Sequence, residues 1–181
     1  GGSINVNTQI AKDQREIKAS FGSGDWNTTK YQVRYRSGKD LSEDLSLTVR
    51  ASQIKSDGYR ENHLSKQKGM FFGLEHRGKK FTNQYRVHIG YENTQLLWDG
   101  VHMNDIKDRT KRRAGYQAYT DDFLQQIYSV NTTSRLRESL FFRNVSYLVA
   151  GKGYYEVLKT GRDYYAYNLD VNNQFTDVQE Q

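Results

Sequence analysis

The sequence predicts an all-β protein, an antiparallel up-and-down meander of about eight long strands. Apolar and polar residues alternate with a period of two in several segments, which is the pattern of a strand with one apolar and one polar face. Aromatic residues make up 13% of the chain, and aromatic side chains favour strands. Proline is absent, and proline cannot donate a hydrogen bond to a β-ladder. All three observations favour a sheet protein over a helical one.

The alternation defines the individual strands. It is clearest where Tyr85, Val87, Ile89 and Tyr91 occupy every second position, and similar runs occur at 31–35, 45–51 and 165–171. We predict strands at 15–24, 29–37, 45–57, 67–77, 81–98, 122–131, 139–152 and 163–171. Several exceed the usual strand length of about 5–6 residues and reach the roughly 9–11 residues that a tilted membrane strand needs.

The predicted links differ in length between the two ends of the meander. Successive hairpin links fall at alternate ends of an antiparallel sheet. One end receives the short links, at 38–44, 78–80 and 132–138. The other receives the tight turn at 25–28 and the longer links at 58–66, 99–121 and 153–162. Short turns on one rim and long loops on the other are typical of outer-membrane β-barrels, so we expect a transmembrane β-barrel, either partial or small and closed.

Composition fits this expectation without proving it. Mean hydropathy is −0.92 despite the many aromatic residues, as in a barrel whose polar lumen face dilutes an apolar outer face. No run of 18 or more apolar residues predicts a membrane helix. The absence of cysteine excludes disulfides and thiolate metal sites. The net charge of +6 suits nucleic acid, lipopolysaccharide phosphate or simple solubility equally well.

We find no motif for catalysis, for a metal or for another cofactor. The four histidines, His63, His76, His88 and His102, lie 12 to 14 residues apart, which is not a compact ligand spacing. Neither a G-x-S-x-G elbow nor a P-loop is present. Paired carboxylates such as Asp121-Asp122 fall at predicted strand ends, where solvated turn residues explain them simply. We therefore expect a protein that is not an enzyme.

A basic cluster lies in the longest predicted link. Its members are Lys107, Arg109, Lys111, Arg112 and Arg113. Tyr116 and Tyr119 follow, and aromatic residues beside basic ones are what single-stranded nucleic acid requires. Asp105 and Asp108 interrupt the charge, so a solvated loop that touches lipopolysaccharide phosphates is the preferred interpretation and a nucleic-acid partner the less favoured one.

Several short stretches, in order along the chain, resemble TonB-dependent outer-membrane receptors. They are Gly1–Thr8, Ala19–Ser23 with Asn27–Tyr31, the S-D-G-Y-R string Ser56–Arg60, Glu92–Thr94 with Leu97–Val101, Tyr119–Phe123 with Gln125-Gln126, and Gly151–Glu156. The first resembles the small-residue strand that closes the family's plug domain, and the others resemble early barrel strands. The resemblance implies that 1–12 are the end of a plug-like strand and its link, and that 13–181 are a segment of barrel wall.

The resemblance also implies a function. A TonB-dependent receptor lies in the outer membrane of Gram-negative bacteria, among outer-membrane lipid and lipopolysaccharide. It binds a scarce extracellular nutrient, such as a ferric siderophore, cobalamin or a glycan, and imports it with energy supplied through the TonB complex. Family members have about twenty-two strands, a complete plug and a preceding coupling segment. We therefore expect this chain not to transport by itself.

Two groups of residues are candidates for binding. Rim candidates for ligand contact, with turn and girdle roles as the simpler alternative, are Asp57, Tyr59, Arg60, Trp98, Asp99, Tyr154 and Tyr155. The basic residues expected to face the lumen are Arg34, Arg50, Arg86 and Arg143. The competing hypothesis is a soluble or engineered β-sheet domain that binds a ligand or partner. That alternative predicts that Tyr85, Val87, Ile89 and Tyr91 pack against a second layer.

Overall fold

The computed structural model describes residues 14–97, 100–115, 119–159 and 178–180, and these residues form one antiparallel sheet. Its strands are β1 (Glu16–Gly24), β2 (Thr28–Arg36), β3 (Leu45–Ser56), β4 (Ser65–Arg77), β5 (Phe81–Leu96), β6 (Tyr119–Arg137), β7 (Leu140–Lys159) and β8 (Val178–Glu180). A 3-10 turn (Met103–Asp105) and a short helix α1 (Arg109–Arg113) lie between β5 and β6. The predicted all-β class is confirmed.

Each strand pairs with the next one along the chain, so the sheet is an up-and-down meander. The first seven predicted strands are confirmed, whereas the predicted strand at 163–171 and the plug-like strand at 1–12 lie outside the described residues. The short β8 pairs with Val157–Lys159 of β7. Within the described part of the chain β1 pairs only with β2, so the sheet is not closed into a barrel.

The hairpin between β6 and β7 is longer than the sequence predicts. β6 has 19 residues and β7 has 20, and only two residues, 138 and 139, separate them. The predicted link at 132–138 is therefore wrong, since most of it belongs to β6. Thr132 and Thr133 are β-branched and polar, so they suit a strand as well as a turn, and the pattern alone does not separate the two.

The register assembles the alternating residues into two continuous faces. Directly opposed residues on neighbouring strands share a face. One row crosses six strands with apolar or aromatic residues only: Tyr35, Val49, Phe72, Val87, Tyr128 and Leu148. We call the side of the sheet that carries this row the apolar face. The opposite side, which we call the arginine face, carries the row Arg34, Arg50, Phe71, His88, Ile127 and Val149.

From β3 to β5 the arginine face is more enclosed than the apolar face, whereas on β7 both faces are exposed, with Tyr147 of the arginine face 74% exposed. On the apolar face Phe72 is 43% exposed, Val33 53% and Leu148 64%. On the arginine face Thr48 and Glu75 are each only 3% exposed. The one buried large apolar residue among the described residues, Phe71, is on the arginine face. Burial of this kind inverts the usual arrangement, in which a sheet in water buries its apolar side.

Candidate functional site

Three links at one end of the sheet contact one another, although they are far apart in sequence. Links 25–27 and 57–64 are joined by a backbone hydrogen bond from Asp57 N–H to Trp26 O at 2.9 Å. Asn27 Nδ2 also donates to Asp57 Oδ2 at 2.6 Å, and the hydroxyls of Thr28 and Ser56 lie 2.7 Å apart. The β1–β2 turn and the β3–β4 link are thereby held as one unit, to which the β5–β6 link is added.

Tyr59 lies at the centre of this assembly. Its ring meets that of Trp26 edge-on, with centroids 5.4 Å apart at 85°. Arg112 Nε donates to the Tyr59 hydroxyl at 2.9 Å, and Arg113 Nε donates to the Tyr59 carbonyl at 3.3 Å. The Arg113 guanidinium also lies 5.9 Å from the ring centroid, within range of a cation–π interaction. We call Trp26, Tyr59, Arg112 and Arg113 the rim platform.

The β3–β4 and β5–β6 links are also joined through their backbones. Arg60 Nη2 donates to Ala114 O at 3.1 Å, and Glu61 N–H donates to Arg113 O at 2.9 Å. The next residue, Gly115, is packed so closely that a Cβ there would lie 1.8 Å from Glu61 O. Gly58 has φ +77°, which an L side chain rarely adopts. Both glycines are therefore needed for the links to meet as they do.

Lys111, Arg112 and Arg113 of the basic cluster make contacts that fold the β5–β6 link. Asp108 caps α1 by accepting from Thr110 N at 2.9 Å, and Lys111 Nζ lies 2.9 Å from Asp105 Oδ1. Arg112 Nη1 donates to Ile106 O at 3.1 Å. The sequence suggests a solvated run of charge, but Arg112 and Arg113 fold the link onto the neighbouring one. The S-D-G-Y-R resemblance and the parity of the links both pointed to Tyr59, but nothing in the sequence indicated its two arginine partners.

Tyr154 and Tyr155 lie in β7, paired with Asp122 and Asp121 of β6, at the end of the sheet that carries the three links. They are strand residues, so the predicted link at 153–162 begins too early. The same stretch of β6 holds a cluster that sequence reasoning missed. Asp122 Oδ2 accepts hydrogen bonds from Tyr91 OH at 2.7 Å and Asn93 Nδ2 at 2.9 Å. Asp122 is therefore a paired strand residue, and the interpretation of it as a solvated turn acid is wrong.

Of the rim candidates, Asp57, Tyr59 and Arg60 are brought together, and all three make contacts within the chain. Trp98 and Asp99 lie outside the described residues. The accessible members of the rim platform are Trp26, which is 42% exposed, and Arg113.

The four basic residues predicted to share a face do so. Arg34 opposes Arg50 directly, Arg86 opposes Gly73 on the same side, and Arg143 opposes Thr133 further along. Arg34 Nη2 and Arg36 Nη1 reach the two oxygens of one carboxylate, Glu16, at 2.7 and 3.1 Å. One carboxylate thus neutralises only part of this charge.

Aromatic and polar contacts organise the rest of the arginine face. The Arg50 guanidinium lies 5.7 Å from the Phe71 ring centroid, and the Phe71 and His88 rings are 4.7 Å apart. Gln84 connects Arg86 to the buried Glu75, with bonds of 2.6 Å on each side. The Nε–H groups of Arg34 and Arg36 are buried without an acceptor among the described residues.

The described residues contain no group of three or more His, Asp or Glu side chains placed to hold a metal ion. Among the same residues no helix has the length and apolar character needed to cross a membrane. Comparison with protein-family models, with curated proteins and with solved structures finds no match to this chain.

The Tyr59 hydroxyl provides a test of the rim platform. We expect Tyr59→Phe to raise the rate of tryptic cleavage within Lys107–Arg113 about fivefold, because a net hydrogen bond of about 1 kcal/mol from Arg112 is lost. Tyr147→Phe removes a hydroxyl from an exposed strand position and should leave that rate unchanged. Equal rates for both variants would show that Tyr59 does not hold the link.

Proposed function

We propose that this chain is a segment of the wall of an outer-membrane β-barrel, with its apolar face toward lipid and its arginine face toward a polar interior. The exposure of the apolar face carries the proposal. A sheet in water gains about 25 cal/mol for each Å² of apolar surface that it buries, and six strands here place an apolar row on the open side. Leaving this row unburied is therefore unfavourable in water. It is not unfavourable in hydrocarbon, since lipid tails are as apolar as the row itself.

Strand length and link length support the same arrangement. β1 to β7 have 9 to 20 residues, at or above what a tilted membrane strand needs. The links at 78–80 and 138–139 are short, whereas the β5–β6 link at 97–118 is the longest between described strands. Outer-membrane barrels keep short turns on the periplasmic side and long loops outside. On this basis the rim platform lies on the extracellular side.

The resemblance to TonB-dependent receptors suggests what such a wall would do. The whole receptor would bind a scarce nutrient outside the cell and import it by differential binding and a change of conformation, without covalent chemistry. The rim platform offers an aromatic edge and guanidinium groups to a ligand that arrives from outside, and the arginine face offers cationic groups along the interior. Import needs the plug and the coupling to the TonB complex, so we propose that this segment contributes to transport but does not perform it alone.

Neighbouring phenylalanines of β4 allow a direct test of which face meets lipid. With Trp26 and Trp98 replaced by Phe, Phe72→Trp places the only tryptophan on the apolar face, and Phe71→Trp places it on the arginine face. We expect lipids brominated on their acyl chains to quench the fluorescence at position 72 strongly and at position 71 weakly. Each variant is refolded into phosphatidylcholine vesicles for the measurement.

Position 71 is the matched control, because it is one residue away on the same strand and carries the same substitution. Absence of quenching at position 72, or equal quenching at both positions, contradicts the proposal. In that case the full chain would be a β-sheet domain whose apolar face is covered by protein.

A further inference from the structure

Three lysines cluster on the apolar face near the end of the sheet that carries the rim platform. Lys55 of β3 and Lys66 of β4 are directly opposed across the two strands. Lys68 follows two residues after Lys66 on the same face and opposes Gln53. All three are exposed, and none forms a salt bridge in the described part of the chain.

The opposition of Lys55 and Lys66 is unfavourable by itself. Directly opposed side chains on one face have Cβ atoms about 5 Å apart, and like charges in such a pair destabilise the sheet. The row continues from Lys66 through Asn93 to Asp122, whose carboxylate already accepts bonds from Tyr91 and Asn93. An external anion would relieve the repulsion.

An apolar groove begins beside these lysines and runs along the same face. It has a volume of about 400 Å³, Lys68 lies on its lining, and the small side chain of Ala51 leaves room between larger ones. The other lining residues that matter are Tyr31, Val33, Met70, Ile89 and Tyr91. A slot of apolar side chains that ends at exposed ammonium groups matches a molecule with a hydrocarbon chain and an anionic head.

We propose that this groove and Lys55, Lys66 and Lys68 form a binding site for a lipid with a phosphate headgroup, its acyl chain lying in the groove and its phosphate among the three ammonium groups. The inference rests on the proposed membrane location and deepens it by naming a lipid partner and the residues that select it. Lysines near an anionic lipid surface each contribute about fivefold in affinity, and their long stems can reach toward headgroups.

The test measures binding of dodecyl phosphate to the full chain in dodecyl maltoside micelles, read as the shift of the thermal midpoint. We expect the triple variant Lys55→Gln, Lys66→Gln, Lys68→Gln to weaken half-saturation by at least about tenfold. A control triple variant, Lys18→Gln, Lys79→Gln, Lys80→Gln, removes the same charge from the arginine face and from the β4–β5 link. It should bind within about twofold of the original chain.

Two further measurements separate the contribution of the phosphate headgroup from that of the alkyl chain. Ala51→Leu narrows the groove and should weaken binding of dodecyl phosphate while all three lysines remain. Inorganic phosphate alone should shift the midpoint little. Equal weakening by both triple variants, or equal stabilisation by inorganic phosphate, overturns the site, because the effect is then general attraction between charges.

Failure of this site and failure of the membrane location can be told apart. If bromolipids quench Phe72→Trp but the Lys55, Lys66, Lys68 variant binds dodecyl phosphate like the original chain, only the lipid site is wrong. If position 72 is not quenched at all, the membrane location is wrong and this site is withdrawn with it.

Discussion

Val87→Arg should lower the free energy of unfolding by about 2–4 kcal/mol when the chain is folded in phosphatidylcholine vesicles, which is the cost of arginine on the lipid face near the bilayer midplane. Val87 lies in the middle of β5, within the uninterrupted apolar row, opposite Phe72 and Tyr128. On the proposed lipid face, the cost of this substitution is mainly that of placing a charge in hydrocarbon. Guanidinium titration followed by intrinsic fluorescence provides the measurement.

Val149→Arg is the control for this experiment, because it makes the same substitution on the opposite face of the same sheet. Val149 is on the arginine face, opposite Ile127, and is 49% exposed. We expect a cost below about 1 kcal/mol, since Val149 is on the side of the sheet that carries Arg34, Arg50 and Arg86 and that we propose faces a polar interior. If the two variants lose equal stability, or if Val87→Arg stays within about 0.5 kcal/mol of the original chain as surface substitutions in water do, the lipid-facing orientation is wrong.

Gly115→Ala should release the β5–β6 link from the β3–β4 link and raise tryptic cleavage within Lys107–Arg113 by about 30-fold. A Cβ at this position would meet the backbone oxygen of Glu61, which cannot move without loss of the bonds around it. Those include Glu61 N–H to Arg113 O and Arg60 to Ala114 O. A loss of about 2 kcal/mol in local stability corresponds to this increase when cleavage follows the open population.

Gly100→Ala is the control, because it makes the same substitution in the same link. Apart from its two chain neighbours, no described residue has an atom within 4 Å of where a Cβ at Gly100 would lie, so we expect this variant to be cleaved at the original rate. Far-ultraviolet circular dichroism of both variants should be unchanged, because the strands are not affected. Resistance of Gly115→Ala equal to that of Gly100→Ala would contradict the tight approach of the two links.

Local alternation determined much of this fold. The residues Tyr85, Val87, Ile89 and Tyr91 identify a strand and assign its two faces, since successive side chains of a strand point to opposite sides. The same reasoning placed Arg34, Arg50, Arg86 and Arg143 on one face before their pairing was seen. Strand ends were less well determined, as β6 and β7 show, because polar β-branched residues suit the end of a strand and a turn alike.

The rim platform and the cluster at Asp122 could not be found this way. Tyr59 meets Arg112 and Arg113 across more than fifty positions, and Asp122 meets Tyr91 across 31. No periodic signal links residues at such separations. They become neighbours because antiparallel pairing brings alternate links to the same end of the sheet.

The sequence by itself determined that this protein is a meander with one apolar and one charged face, because side-chain alternation is a property of each strand alone. Only the tertiary structure decided which face is enclosed. A period of two is the same viewed from either side, so enclosure of one face depends on how all the strands together arrange the sheet. That arrangement exposes Phe72 and Leu148 and buries Glu75, and it is the physical basis for our proposal that the apolar face meets lipid.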